Sequence, residues 1–213
     1  MDEIFLKKAE AVLFDFEGTL VSLQWDLDGA VRETLEMLKT IGFPVERFRG
    51  MKYSALMLEA IRMAQEIGQS PARVRERIET IYDRFDEDAS TRWNLRSGSR
   101  EFLSALKTKG IKTGLVSNVG GKALEKAVSK LGLHPFFDVV VSRNDVQRMK
   151  PSGEGLRLAL SRLQVPQDRA LYVGDSLDDI QAAKAAGVRV IIILGEEDLK
   201  EELLPAGPDR LIY

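Results

Sequence analysis

The stretch Ala11-Val12-Leu13-Phe14-Asp15-Phe16-Glu17-Gly18-Thr19-Leu20 decides the fold. Its apolar run leads into Asp15, and a Gly-Thr pair follows shortly after. An apolar run closed by turn residues reads as a buried strand. Asp15 then sits where the strand ends and the chain becomes accessible. In open α/β sheets, ligands bind beyond the carboxyl ends of the strands. A carboxylate there can serve as a nucleophile. Gly18 permits a sharp turn, and the Thr19 hydroxyl can bond carboxylate or backbone groups. Taken alone, Asp15 reads as an ordinary turn former.

Outward from that strand, the C-terminal half alternates in type. Ser99 to Lys109 reads as a helix stopped by Gly110, and Ile111 to Val116 as a strand ending at Ser117-Asn118. Lys122 to Leu131 carries apolar residues at helical spacing, and Gly132 closes it. Phe136 to Val141 reads as a third strand and Gly153 to Leu163 as a helix. Ala170 to Val173 is a fourth strand ending at Gly174-Asp175. Asp178 to Ala186 is a helix closed by Gly187, and Val188 to Leu194 a fifth strand. Repeated βα units with continuously apolar strands imply a parallel sheet covered on both faces.

Residues 22–94 differ, because no convincing strand occurs there. Val31 to Thr40 is amphipathic, and Ser54 to Ile67 is rich in Ala, Leu, Met and Ile. Ser70-Pro71 resembles an N-cap with proline at the first helical position, opening Ala72 to Phe85. This reads as a helical domain inserted after the first strand. Met51, Leu56, Met57, Leu58 and Met63 are expected in its core. Trp25 and Trp93, at its two edges, are expected to pack in a core or hinge. Arg47, Arg49 and Lys52 flank Gly50 as a basic loop, while Arg73, Arg75 and Arg77 read as a solvated helix face.

Composition excludes several chemistries. The chain has no cysteine, which removes disulfides, thiol catalysis and Cys-ligated zinc. Its one histidine, His134, precludes a cluster of His ligands and is expected to be structural or exposed. A formal charge of −2 provides no electrostatic pull toward nucleic acid or an anionic membrane. No apolar run approaches the ~20 residues of a membrane span. The N-terminal Met1 to Lys8 is acidic before it is basic and too short in apolar residues for a signal peptide. A cytoplasmic location is the expectation.

Four short signals fall at the ends of expected strands: Asp15 to Thr19, Ser117-Asn118, Lys150-Pro151, and Gly174-Asp175 with Asp178-Asp179. In a doubly wound sheet these ends share one rim, so the residues can converge. Asp15 and Asp175 are oxygen donors of the kind Mg²⁺ prefers. Lys150 can pair with Asp15 and with a phosphate. Ser117 and nearby backbone N–H groups can hold phosphate oxygens. Each signal alone has a plain structural reading, such as helix capping. Their joint order carries the inference.

At these residues the chain resembles the haloacid dehalogenase-like hydrolases, especially their phosphoglycolate phosphatase-like members. The resemblance covers nearly the whole chain. It implies an α/β fold with a Rossmann-like doubly wound parallel sheet core (residues 1–21 and 95–213) and an inserted α-helical cap (residues 22–94). It also implies Asp15 as nucleophile, Glu17 as general acid/base and Lys150 orienting Asp15. Gly18, Thr19, Ser117, Asn118 and Lys150 would bind substrate phosphate. Mg²⁺ would be held by Asp15, the Glu17 carbonyl and Asp175, with Asp179 supporting the metal shell. The family pattern usually has Asp where this chain has Glu17. Glutamate has similar acidity but reaches one methylene further, and a misplacement of about 1 Å can cost roughly a hundredfold in rate.

The function implied is Mg²⁺-dependent hydrolysis of small phosphorylated metabolites, such as phosphoglycolate or sugar phosphates, through an aspartyl-phosphate. A sugar-phosphate mutase uses the same residues. A non-catalytic phosphate-binding module is a third reading, with Glu17 its sequence support. The expected partner is a small phosphorylated metabolite rather than nucleic acid or membrane, and the expected state is a monomer or homodimer.

Overall fold

The computed structural model describes residues 8–194 and 203–212. Most of the N-terminal stretch read for a leader, residues 1–7, lies outside the described residues. The chain divides into two compact units, one formed by Met1–Leu23 with Trp93–Tyr213 and the other by Gln24–Arg92.

The first unit is built on a six-stranded sheet: β1 (Ala11–Phe14), β2 (Lys112–Val116), β3 (Val139–Val141), β4 (Ala170–Gly174), β5 (Arg189–Ile193) and β6 (Arg210–Ile212). All pairs are parallel and the spatial order is β3-β2-β1-β4-β5-β6. Both faces of β1 are buried, as its unbroken apolar run requires. Ala11 and Leu13 join the core beneath α6 (Glu154–Leu163) and α7 (Leu177–Ala186). On the other side, Phe14 meets Phe102 of α4 (Ser99–Thr108) edge-on, with centroids 5.9 Å apart. Burying a side chain of this size contributes about 1.5–3 kcal/mol. The helix α5 (Gly121–Lys130) follows β2 and buries Leu124, Ala127 and Val128.

This strand order sets the site. β2 and β3 extend the sheet to one side of β1, and β4 to β6 extend it to the other. The order reverses between β1 and β4, which opens a crevice beyond their carboxyl ends. Phe14 lies level with Leu115 on one side and Val173 on the other. Asp15, the next residue, donates its N–H to Val173 O at 2.8 Å.

The second unit contains α1 (Leu27–Thr40), α2 (Tyr53–Ala64) and α3 (Pro71–Ser90), with a short 3-10 turn at Val45–Phe48. Asp26 caps α1, and Ser70 caps α3 with Pro71 at its first position. Trp25 packs against Tyr53, Tyr82 and Phe85 at centroid distances of 4.8, 5.5 and 6.3 Å.

Several expectations need correction. The third strand starts at Val139 rather than Phe136, because His134–Phe136 forms a 3-10 turn around Pro135. The Asp138 carboxylate then takes the Thr113 N–H at 2.7 Å. The sixth strand, β6, was not anticipated; three residues carry too little periodicity. α1 begins at Leu27 rather than Val31, and α3 runs on to Ser90 rather than Phe85. Leu58 is 51% exposed instead of core, since Leu56, Met57, Ala60 and Met63 form the inward face of α2. No helix among the described residues is long and apolar enough to cross a membrane.

Candidate active site

Asp15 leaves β1 into a buried cluster of charge and is itself 8% exposed. Lys150, which precedes α6, reaches it with Nζ 2.7 Å from Asp15 Oδ1. The same ammonium donates to Asp179 Oδ1 at 2.7 Å and to the Tyr172 hydroxyl oxygen at 2.9 Å. An ammonium has three donors, and these three partners use them all. Tyr172 in turn donates to Asp179 Oδ1 at 2.7 Å.

Asp179 is fully buried at the start of α7. Its Oδ2 accepts the Ser176 hydroxyl at 2.6 Å and the N–H groups of Ser176 and Asp175 at 3.0 and 3.2 Å. Both oxygens are thus engaged with protein donors. Asp179 ties Lys150 to the turn between β4 and α7 that carries Asp175. Gly174 permits this approach, because a Cβ there would lie 2.5 Å from the Asp179 side chain. Asp178 is half-buried on the same turn.

Asp175, at the end of β4, accepts the Thr19 hydroxyl at 2.9 Å. Gly18 has φ +84°, and a Cβ on it would stand 2.1 Å from Asp175 Oδ2. Only glycine lets this turn close over the carboxylate. Glu17 is half-buried, and its Oε1 accepts the Trp93 indole N–H at 2.9 Å.

Ser117 follows β2, where its hydroxyl accepts the Val119 N–H at 3.3 Å and its own N–H donates to Val141 O at 2.9 Å. The Asn118 side-chain amide binds the backbone of Lys150, accepting the Lys150 N–H at 2.9 Å and donating to the Lys150 carbonyl at 3.1 Å. The buried Arg143 donates to the Asn118 carbonyl at 2.8 Å.

The electrostatics follow from burial. Burial drives the Asp15 carboxyl up to about 7, against the pull of Lys150 and with the charge of Asp179 adding to the rise. Asp175 is raised well above the carboxylate range by burial, then by Asp179 and Asp15. For Asp179, burial is outweighed by the charge and hydrogen bond of Lys150, and its carboxyl is lowered. Lys150 loses hydration by burial, yet Asp15 and Asp179 hold it well above its ordinary value.

Asp15, Asp175 and Asp179 each offer a carboxylate oxygen within 4.8 Å of the others. One ammonium faces three carboxylates. Burial is the largest cause of the upward shifts of Asp15 and Asp175, and the neighbouring carboxylates add to it. An all-oxygen donor set with uncompensated charge fits a hard divalent cation.

A sequence model of the haloacid dehalogenase-like hydrolases matches residues 12–193. The chain belongs to this family. It is a hydrolase of the phosphoglycolate phosphatase-like type: a phosphoglycolate phosphatase of Salmonella choleraesuis is 34% identical over 98% of this chain and 90% of that protein. A Bacteroides fragilis crystal structure provisionally assigned as a haloacid dehalogenase-like hydrolase shares 26% identity, with TM-score 0.72 over 96% of this chain and 97% of that one. A Thermotoga maritima structure provisionally assigned as a β-phosphoglucomutase also shares 26% identity, with TM-score 0.63 over 95% of this chain and 93% of that one.

Among the residues expected at the site of this haloacid dehalogenase-like hydrolase, Asp15, Lys150, Asp175 and Asp179 lie in direct or one-residue contact. Sequence reasoning missed Tyr172, Arg143 and Arg96. Tyr172 sits in an otherwise apolar strand, where its ring reads as core. Arg143 is an arginine 1% exposed, which no periodicity announces. Arg96 donates to the Gly18 carbonyl. His134 stands apart at 54% side-chain exposure beside Glu125. In the second unit, Arg47, Arg49 and Lys52 are exposed, and Arg47 lies 4.0 Å from Glu59.

Proposed function

We propose that this hydrolase is a Mg²⁺-dependent phosphatase acting on small phosphorylated metabolites, phosphoglycolate and sugar phosphates being the substrate classes to test first. The observation that carries this reading is the buried Asp15–Lys150–Asp179 chain at the crevice between β1 and β4. A nucleophilic carboxylate needs a fixed direction and a neighbouring positive charge to meet an anionic phosphoryl group.

In the first step an Asp15 oxygen attacks phosphorus in line, and the bond to the leaving alkoxide breaks. Glu17 supplies the proton that makes it an alcohol. In the second step a water attacks the aspartyl-phosphate, its proton passes to Glu17, and Asp15 is released as carboxylate with inorganic phosphate. Lys150 holds Asp15 in line and offsets its charge. Ser117, Gly18, Thr19 and the backbone N–H groups near them are the proposed phosphate contacts. Asn118 serves through Lys150, and Asp179 through Lys150 and α7. Asp15, Asp175 and the Glu17 carbonyl would hold Mg²⁺, whose charge would lower the repulsion between Asp15 and the phosphoryl group.

Residues 22–94 are assigned as the cap, which would exclude bulk water and select substrates. The basic loop of Arg47, Arg49 and Lys52 is its first candidate for an acidic substrate. A cytoplasmic enzyme, monomer or homodimer, is the accompanying proposal.

The test is phosphate release from a panel of small phosphomonoesters, with and without Mg²⁺, using Asp15→Asn as the blank. Mg²⁺-dependent release lost in Asp15→Asn supports the reading. Silence across the panel for both this chain and Glu17→Asp, with a phosphate analogue still bound, favours a non-catalytic module. The likeness to the Thermotoga maritima structure favours a sugar-phosphate mutase as the second reading. Phosphoryl transfer to a second sugar phosphate, without free phosphate, would identify it.

A further inference from the structure

Glu17 is the proposed acid/base, and its carboxylate is held by a residue outside the Asp15–Lys150–Asp179 chain. A glutamate has three side-chain torsions to fix, and leaving them loose would spread its carboxylate over several positions. The structure fixes it from elsewhere. Trp93 is 1% exposed and donates its indole N–H to Glu17 Oε1 at 2.9 Å. Its ring stands edge-on to Phe16, with centroids 5.0 Å apart and planes at 89°.

The segment that carries Trp93 grips the Glu17 turn at further points. Leu95 forms an antiparallel bridge with Val21. Arg96 donates its N–H to Leu20 O at 2.9 Å and its guanidinium to Gly18 O. Ser99 Oγ donates to Leu20 O at 3.2 Å. Residues 17–21 are thus strapped by residues 93–99, where the chain returns from the second unit to the first. Gly18 to Val21 are buried, so the strap holds this turn inside the first unit. A buried tryptophan needs an acceptor for its indole N–H, and here that acceptor is the Glu17 carboxylate. Trp93 is locked by Phe16 and the Leu95 bridge, and its donor points at the proton-transferring group.

We propose that Trp93 is a positioning residue for Glu17, fixing the carboxylate that protonates the leaving alcohol. The inference rests on the phosphatase reading for Glu17. It adds that the return segment from the second unit sets the acid/base geometry.

The discriminating variable is the leaving group. An alkyl alcohol leaves only with a proton, whereas p-nitrophenolate leaves without one. Trp93→Phe keeps an aromatic ring beside Phe16 and removes the donor. We expect kcat/KM for an alkyl phosphate monoester to fall about tenfold, part of the 10²–10⁴ that acid/base help supplies. For p-nitrophenyl phosphate it should fall less than about twofold. In a Glu17→Ala background, Trp93→Phe should have no further effect on the alkyl ester, giving a non-additive cycle. Equal loss for both substrates, no loss for either, or an additive cycle overturns the proposal.

A second measurement needs neither activity nor a foldable Trp93 variant. The chain has two tryptophans, so its ¹H–¹⁵N spectrum holds two indole signals. Glu17→Ala should shift the Trp93 signal and speed its exchange with solvent, leaving Trp25 unmoved. An unchanged Trp93 signal overturns the proposal. Absence of phosphate release by the unaltered chain, with the indole response intact, would instead count against the phosphatase reading.

Discussion

Asn118 holds the backbone of Lys150 at both ends, accepting its N–H at 2.9 Å and donating to its carbonyl at 3.1 Å. An asparagine at the tip of β2 thereby fixes the residue whose ammonium orients the β1 carboxylate. Asn118→Ala should leave the site charged but loosened. We expect phosphate release to fall about ten- to a hundredfold, the scale of a 1 Å misplacement. Stability should fall by about 1–3 kcal/mol, because two buried or half-buried polar groups lose their partner. Steady-state kinetics beside urea unfolding would measure both. Unchanged kcat with lowered stability would show that the clamp serves folding alone.

Lys150→Met removes the ammonium while keeping a long apolar chain. Asp179 is then fully buried without its strongest partner, and Tyr172 alone remains on Oδ1. Breaking one side of such a pair costs about 3–5 kcal/mol. The midpoint in urea should drop accordingly and phosphate release should be lost. A variant as stable as the parent would contradict the idea that Lys150 is what keeps Asp179 ionised.

Mg²⁺ should stabilise the folded chain through Asp15 and Asp175. At a hundredfold excess over Kd the gain is about 2.7 kcal/mol, read as a rise in melting temperature. Asp175→Asn should abolish that rise. Gly18→Ala should blunt it too, since its Cβ would meet Asp175 Oδ2 at 2.1 Å. Gly18→Ala should also cost about 1–3 kcal/mol for a non-glycine residue at φ +84°. Equal Mg²⁺ response in all three proteins would move the cation site elsewhere.

Asp138 predicts part of the acid limb of stability. Burial pushes its carboxyl up, but the Lys107 hydrogen bond, the Thr113 N–H and the Lys107 charge outweigh it and leave it lowered. A carboxyl lowered on folding stabilises above its unfolded value, and that contribution disappears as pH falls through the folded value. The side chain is 37% exposed, so solvent screening keeps the contribution below about 1 kcal/mol. Asp138→Asn should therefore make stability less steep in pH from about 5 downward. Urea midpoints at closely spaced pH values would test it, and an unchanged slope would refute it.

The reach of the sequence can be judged from particular residues. The run Ala11 to Phe14 identified a doubly covered strand because nothing else tolerates four consecutive buried apolar residues in an open sheet. Gly187 and Ser70-Pro71 marked helix ends because their backbone requirements are local. β6 escaped because it exists only through pairing with β5. Leu58 was misjudged because the inward face of α2 is set by its neighbours, not by apolar content.

The candidate site divides in the same way. Asp15, Lys150 and Asp175 were legible as residues that strand ends bring to one rim. Trp93 was legible only as a packing residue. Its hydrogen bond to Glu17 spans 76 positions and has no local signature. Tyr172, on β4, completes the Lys150 donor set from inside a strand that reads as pure core.

The sequence by itself determined the fold class, the order along the chain of the strand ends that carry candidate residues, and the acidic, cysteine-free character of the site. These depend on periodicity, on turn residues and on residue type, which are properties of short segments. The tertiary structure alone decided that Asn118 grips Lys150, that Asp179 spends both oxygens on protein donors, and that Trp93 holds Glu17. Those assignments depend on distance and direction between side chains far apart in the chain, and only closing the sheet and its helices fixes them.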